Sequence, residues 1–113
     1  MPYLSVKTSI NISEEKKNDL QRKIGELISI IPGKNIDNCM TEIEDNLSFY
    51  MGGSAKPLLF CEVRLLTVAP VEAKRELFLK LESLFIDELQ VETVYLNYIE
   101  LNEWGSKGDY RVI

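Results

Sequence analysis

Histidine is absent from the 113-residue chain. That excludes every mechanism needing an imidazole: a Ser-His-Asp triad, a Cys-His pair, a His-ligated zinc. Cysteine is scarce. Cys39 and Cys61 are too few for a disulfide scaffold and form no Cys-x-x-Cys pair, so both read as buried small hydrophobes. No run approaches the roughly 18 apolar residues of a membrane span. The start, Met1-Pro2-Tyr3-Leu4-Ser5-Val6-Lys7, has no basic stretch leading into an apolar one, so no secretion signal is expected and the cytoplasm is the expected compartment. Positive charge is short as well: 13 Lys and Arg against 18 Asp and Glu leave a net charge of −5. A phosphate-binding domain carries a basic excess, so neither nucleic acid nor membrane is expected as a partner. Without histidine, proton chemistry near neutral pH falls to a perturbed carboxylate, Lys or Cys, or to an amino terminus, whose reference pKa is about 7.7–8.0. What is present, 45% apolar and 27% charged residues, suits one ordinary globular domain over residues 1–113.

Residues 2–8 alternate and predict a short strand. Ser13 is placed to cap a helix, with Glu14 and Glu15 in the first turn, where the helix dipole favours acids. Leu20, Ile24, Leu27, Ile28 and Ile31 form one apolar stripe, and Pro32-Gly33 is expected to stop the helix. A strand follows over residues 38–45, carrying Met40 and Ile43, and Phe49–Lys56 reads as a loop around Gly52-Gly53-Ser54. The pattern then restarts. Leu58–Leu66 is a strand, Pro70 is expected as the first helical residue, Leu77, Leu81, Leu84 and Phe85 form a second stripe, and Val94–Leu101 is the last strand. The two stripes are 57 residues apart throughout, and the closing strands, Ile43-Glu44-Asp45-Asn46 and Ile99-Glu100-Leu101-Asn102, are 56 apart. The chain reads as a βαβ unit written twice, over residues 2–46 and 58–102.

Each half implies a right-handed parallel crossover, giving an α+β fold with a four-stranded mixed sheet and two helices on one face. Leu58–Leu66 carries apolar side chains at both alternations, so the uncovered face is expected to be buried too. A second copy of the same sheet is the simplest cover, and a homo-oligomer is expected.

Pro2 is the most informative candidate. Methionine is generally trimmed when a small residue follows, which would make the Pro2 ring nitrogen a secondary amine. Burial disfavours the ammonium form and would make it a general base near neutral pH; alternatively, proline merely starts an edge strand. Lys34, after the helix-ending glycine, either holds an anionic group or is a solvated surface lysine. Gly52-Gly53-Ser54 lacks the Lys-Ser/Thr and the strand–helix context of a phosphate loop. Tyr95 and Asn97 share one face of the last strand, and Asn97 needs hydrogen-bond partners from ligand or protein. Arg64 is expected to pair with an acid, and Glu14, Glu15, Lys16 and Lys17 read as a solvated helix face.

Together, Pro2-Tyr3-Leu4, Gly33-Lys34, Met51-Gly52-Gly53-Ser54 with Pro57, and Val94-Tyr95-Leu96-Asn97-Tyr98 resemble the macrophage migration inhibitory factor branch of the tautomerase superfamily. The resemblance runs through nearly the whole chain in order. It implies a homotrimer whose three sheets surround a channel, with sites between neighbouring subunits. Pro2 would be the base, Lys34 the anchor for a substrate carboxylate, and the Leu66 N–H a further donor. Tyr95 and Asn97 would arrive from the adjacent chain, and Tyr3 would line the mouth. The implied reaction is keto–enol tautomerisation of a phenylpyruvate-like 2-oxo acid, with no cofactor or metal. Two departures stand out. Leu58-Leu59-Phe60-Cys61 replaces the Cys-x-x-Cys of cytokine members, so thiol oxidoreductase activity is not expected. The tail from Glu103 to Tyr110 leaves open whether Trp104 or Tyr110 caps the pocket. No paired arginines point to halogenated acrylate hydrolysis. The rival functions are a cytokine-like ligand of a receptor, since such relatives leave cells without a signal peptide, and a trimeric scaffold that keeps the pocket without using it.

Overall fold

The computed structural model describes residues 2–113. Strand β1 (Tyr3–Thr8) buries Leu4, Val6 and Thr8 on one face and turns Tyr3, Ser5 and Lys7 to the other. Helix α1 (Glu14–Leu27) starts at Ser13, whose hydroxyl accepts the Lys16 N–H at 3.1 Å. It ends earlier than its stripe suggests. Ile28–Ile30 tighten into a 3-10 turn and Ile31 is already extended, with ψ 121°. The ring of Pro32 disfavours helical backbone at the preceding residue, so the helix stops ahead of Pro32-Gly33 rather than at it. A further 3-10 turn, Ile36–Asn38, is capped by the Asn35 side chain, which shortens the expected second strand to β2 (Met40–Glu44).

The expected loop over Phe49–Lys56 contains a small hairpin, β3 (Tyr50–Met51) and β4 (Ser54–Ala55). Gly52 and Gly53 both have positive φ, 61° and 83°, as a two-residue hairpin turn requires. Strand β5 (Leu58–Leu66) leads to helix α2 (Val71–Leu89). Pro70 is the N-cap, not the first helical residue, because its ψ of 141° is extended. Strand β6 (Thr93–Leu101) closes the second half, and the tail forms a hairpin not anticipated from the sequence, β7 (Glu103–Ser106) with β8 (Asp109–Val112).

The sheet runs β2-β1-β5-β6, with β1 parallel to β2, β5 parallel to β6, and β1 antiparallel to β5. The fold is thus α+β with a mixed sheet, as the sequence implied. The register refines the internal spacing. Tyr3 faces Met40 and Phe60 faces Tyr95, so opening strands separated by 57 residues pair with closing strands separated by 55, not 56. Both helices pack on the face formed by Leu4, Val6, Leu59, Val63 and Leu65, with Phe85 among the fully buried side chains between the layers. Lys16 and Lys23 of α1 both reach Glu88 of α2, so part of the supposedly solvated helix face is a bridge between helices. Cys61 is buried as expected, whereas Cys39 is only partly so.

The opposite face corrects one expectation. Leu58 and Leu66 lie at the strand ends and are covered, so β5 offers Phe60, Glu62 and Arg64 to the open face. With Lys7, Glu42 and Glu44 from β1 and β2, that face is mixed and charged rather than apolar. Among the described residues, no helix is long and apolar enough to cross a membrane.

Candidate active site

Pro2 is buried, and its carbonyl accepts the Met40 N–H at 3.0 Å, which pins the start of β1 to the start of β2. Tyr3 pairs with Arg64, so one further step of the same register puts Pro2 level with Leu65 and Leu66 just beyond it. Leu66 is the buried last residue of β5. Lys34 lies in the connection from α1 to β2, which delivers the chain to Met40 at this same end of the sheet. Its backbone N–H donates to the Ile31 carbonyl at 3.1 Å, its side chain is half-buried, and among the described residues it forms no ion pair. The fold therefore gathers Pro2, Leu66 and the Lys34 segment at one end of the sheet. Met1, whose removal would free the Pro2 nitrogen, lies outside the described residues.

Tyr95 and Asn97 are not brought to that end. They stand on the open face of β6, level with Phe60 and Glu62. Asn97 is three residues short of Glu100, the residue level with Leu65. That is about 10 Å along the strand, with two strand spacings, about 10 Å more, across to β1. One chain cannot close Asn97 onto its own Pro2. Tyr95 is 42% exposed, an open ring on an open face.

Tyr3 alternates away from Pro2 and is engaged elsewhere. Its hydroxyl donates to Glu42 at 2.5 Å, and the Arg64 guanidinium lies 5.7 Å from its ring centroid. Arg64 pairs in turn with Glu62 at 2.9 Å, as the mid-strand arginine was expected to pair with an acid. The Glu42 bond chiefly holds the Tyr3 hydroxyl above the ordinary phenol range. These groups line a cleft of about 260 Å³ on the open face. In the tail, Tyr110 is 65% exposed and folds across Gly105, with its hydroxyl on Glu103 at 3.2 Å; Trp104 is half-buried. A shallower groove of about 420 Å³, between Ser9, Phe49, Tyr50, Lys56 and Pro57, lies at the other end of the sheet from Pro2.

Thiol chemistry has no support. Burial pushes the Cys61 thiol up to about 12 and raises that of Cys39, so neither is a thiolate near neutral pH. Among the described residues, no three cysteine or carboxylate side chains converge as metal ligands would. One group missed from the sequence is Glu100, which accepts the Ala69 N–H at 2.6 Å and the Lys74 ammonium at 2.8 Å just beyond Leu66. Ile12, Lys17 and Asp45 make the same contacts in the first half, an equivalence that only the strand registers bring out.

Solved structures of low sequence identity share this fold. MIF2 of Leishmania major superposes with a TM-score of 0.88 at 20% identity, covering 97% of each chain. The macrophage migration inhibitory factor-like protein of Entamoeba histolytica gives 0.81 at 22% identity, covering 96% of this chain and 97% of that one. The protein Pt0534, solved after inactivation by 2-oxo-3-pentynoate, gives 0.82 at 15% identity, covering 94% and 93%. No curated protein matches the sequence. The family model for macrophage migration inhibitory factor matches residues 1–109, nearly the whole chain. With a duplicated strand–helix–strand layout and Pro2 at the head of β1, the chain belongs to the macrophage migration inhibitory factor family.

Proposed function

We propose that this protein is a keto–enol tautomerase for phenylpyruvate-like 2-oxo acids, working as a homotrimer with Pro2 as its base once Met1 is removed. The observation that carries it is the burial of Pro2 beside Leu66, at the sheet end where the Lys34 segment arrives. A terminal secondary amine in a desolvated site loses preference for the ammonium form, and its pKa falls into the working range. The inactivation of Pt0534 by a 2-oxo acid, 2-oxo-3-pentynoate, supports the same substrate class.

In this scheme the Lys34 ammonium holds the substrate carboxylate and the Leu66 N–H donates to a substrate oxygen. Pro2 takes the proton from the enol hydroxyl, the electron pair forms the carbonyl, and the adjacent carbon gains a proton. The reverse direction begins with removal of that carbon's proton. Tyr95 and Asn97 of a neighbouring copy complete the pocket, which is why their distance from Pro2 within one chain is no obstacle. The open face of mixed charge suits the wall of a solvated channel.

The test compares processed protein with a form that retains Met1. Retention turns the Pro2 nitrogen into an amide with no basic lone pair. Phenylpyruvate tautomerisation should fall about 10²–10⁴-fold while the oligomer persists, with mass spectrometry fixing the terminus of each sample. Equal rates would remove Pro2 as the base.

A further inference from the structure

Two carboxylates outside the proposed site are held in the same way at opposite ends of the sheet. Glu100 of β6 accepts the Ala69 N–H at 2.6 Å and the Lys74 ammonium at 2.8 Å. Asp45, just past β2, accepts the Ile12 N–H at 2.8 Å and the Lys17 ammonium at 2.9 Å. Ala69 and Lys74 follow Ile12 and Lys17 by 57 residues, and Glu100 follows Asp45 by 55, the offsets of the strand registers. In each case one acid ties the loop entering a helix to a lysine in that helix's first turn. Both carboxyls lie below the usual range: Glu100 chiefly through Lys74 and then the Ala69 N–H, Asp45 chiefly through the Ile12 N–H and then Lys17.

The two loops differ in what they carry. The loop held by Asp45 leaves β1 at the end of the sheet away from Pro2. The loop held by Glu100 follows directly on Leu66, the last residue of β5, and Glu100 stands in register beside Leu65. Within that loop Val68 is 82% exposed and Pro70 is exposed, so packing through these two is slight. Ala69, 5% exposed, turns inward, and its N–H is held by Glu100. The Tyr98 hydroxyl, also from β6, donates to the Lys74 carbonyl at 2.7 Å and secures the same first turn.

We propose that Glu100 is a positioning residue for the tautomerase reaction: through the Ala69 N–H and Lys74 it fixes the Leu66–Ala69 segment, and with it the Leu66 N–H, relative to Pro2. The proposal rests on the assignment of Pro2 as base. Charge-assisted bonds to a carboxylate are short and directional, which suits them to holding one backbone donor in place.

The experiment sets Glu100→Ala and Glu100→Gln against Asp45→Ala and Asp45→Asn, each with a processed terminus and each assayed on phenylpyruvate below its melting temperature. Both alanine variants lose a clamp of the same chemistry, so both should melt lower. A donor misplaced by about 1 Å costs up to about 100-fold, so Glu100→Ala should lower kcat/KM roughly 10–100-fold. Asp45→Ala should keep the parent's kcat/KM. Glu100→Gln retains an acceptor for the Ala69 N–H and should recover most of the loss. Should either alanine variant fail to fold, the Gln and Asn pair decides, with a smaller loss at Glu100 and none at Asp45. An active parent with equal kcat/KM in the matched variants overturns the positioning role alone. An inactive processed parent overturns the Pro2 assignment, and the role falls with it.

Discussion

Gly25 of α1 faces Ile36 so closely that a Cβ at position 25 would lie 2.6 Å from the isoleucine Cγ1 and 2.9 Å from its Cδ1. Glycine within a helix costs about 0.5–1 kcal/mol relative to alanine; here it lets the segment carrying Lys34 lie against the helix. Gly25→Ala should displace Ile36, lower stability and raise KM for the 2-oxo acid. In an Ile36→Ala background the obstruction is gone, and Gly25→Ala should be neutral or stabilise by up to about 1 kcal/mol. Denaturant unfolding of the four proteins measures this coupling. Strictly additive changes would mean that the two residues do not restrain each other.

If Lys34 anchors the substrate carboxylate, Lys34→Ala should raise KM more than it lowers kcat, because much of that contact already exists in the ground state. Steady-state kinetics on phenylpyruvate separates the two. Unchanged kcat and KM would return Lys34 to the role of a surface lysine.

Asn97 and Pro2 are separated within one chain, so a site that uses both would be shared between copies. Light scattering should give a mass three times that of one chain. Subunits carrying Lys34→Ala and subunits carrying Asn97→Ala should each be weak alone. After unfolding and refolding together they should regain part of the activity, since some mixed interfaces pair an intact Lys34 with an intact Asn97. No recovery in verified mixed oligomers would place all the groups on one chain.

Glu88 links the helices through Lys16 and Lys23, and those two hydrogen bonds push its carboxyl down to about 2. A depressed folded-state value means that the linkage is fully present above the ordinary glutamate range and is lost as pH falls through about 2. Glu88→Gln should therefore lower the melting temperature at pH 7, with the gap from the parent closing progressively below about pH 4. A gap that stays constant from pH 7 to strongly acidic conditions would show that the charge is irrelevant. Because the pair is partly solvated, added salt should narrow the gap at pH 7.

The candidate residues are legible in the sequence because each is singled out by local chemistry. Proline at the second position, a lysine directly after Pro32-Gly33, and Tyr95-x-Asn97 on one strand face can all be read from residue type and spacing. Glu100 is not legible in the sequence, because its partners Ala69 and Lys74 are 31 and 26 residues away and meet it only through the β5–α2–β6 crossover. The polarity of the open face is hidden from the sequence for a related reason. Alternation tells which side chains share a face, but not that Leu58 and Leu66 at the strand ends would be covered, leaving Phe60, Glu62 and Arg64 on it.

The sequence by itself determined the number and order of the main strands and helices, the two halves and the single fold class. Those depend on periods of two and 3.6 residues and on local breakers such as Pro32 and Gly52-Gly53. Only the tertiary structure decided that β1 and β5 pair at the centre of the sheet, that the register brings Pro2 level with Leu65 at the end of β5 while Asn97 stays away, and that Glu100 and Asp45 clamp opposite ends of the sheet. Pairing partners and side-chain contacts between distant residues are fixed by how the layers pack against each other, and no local period encodes that.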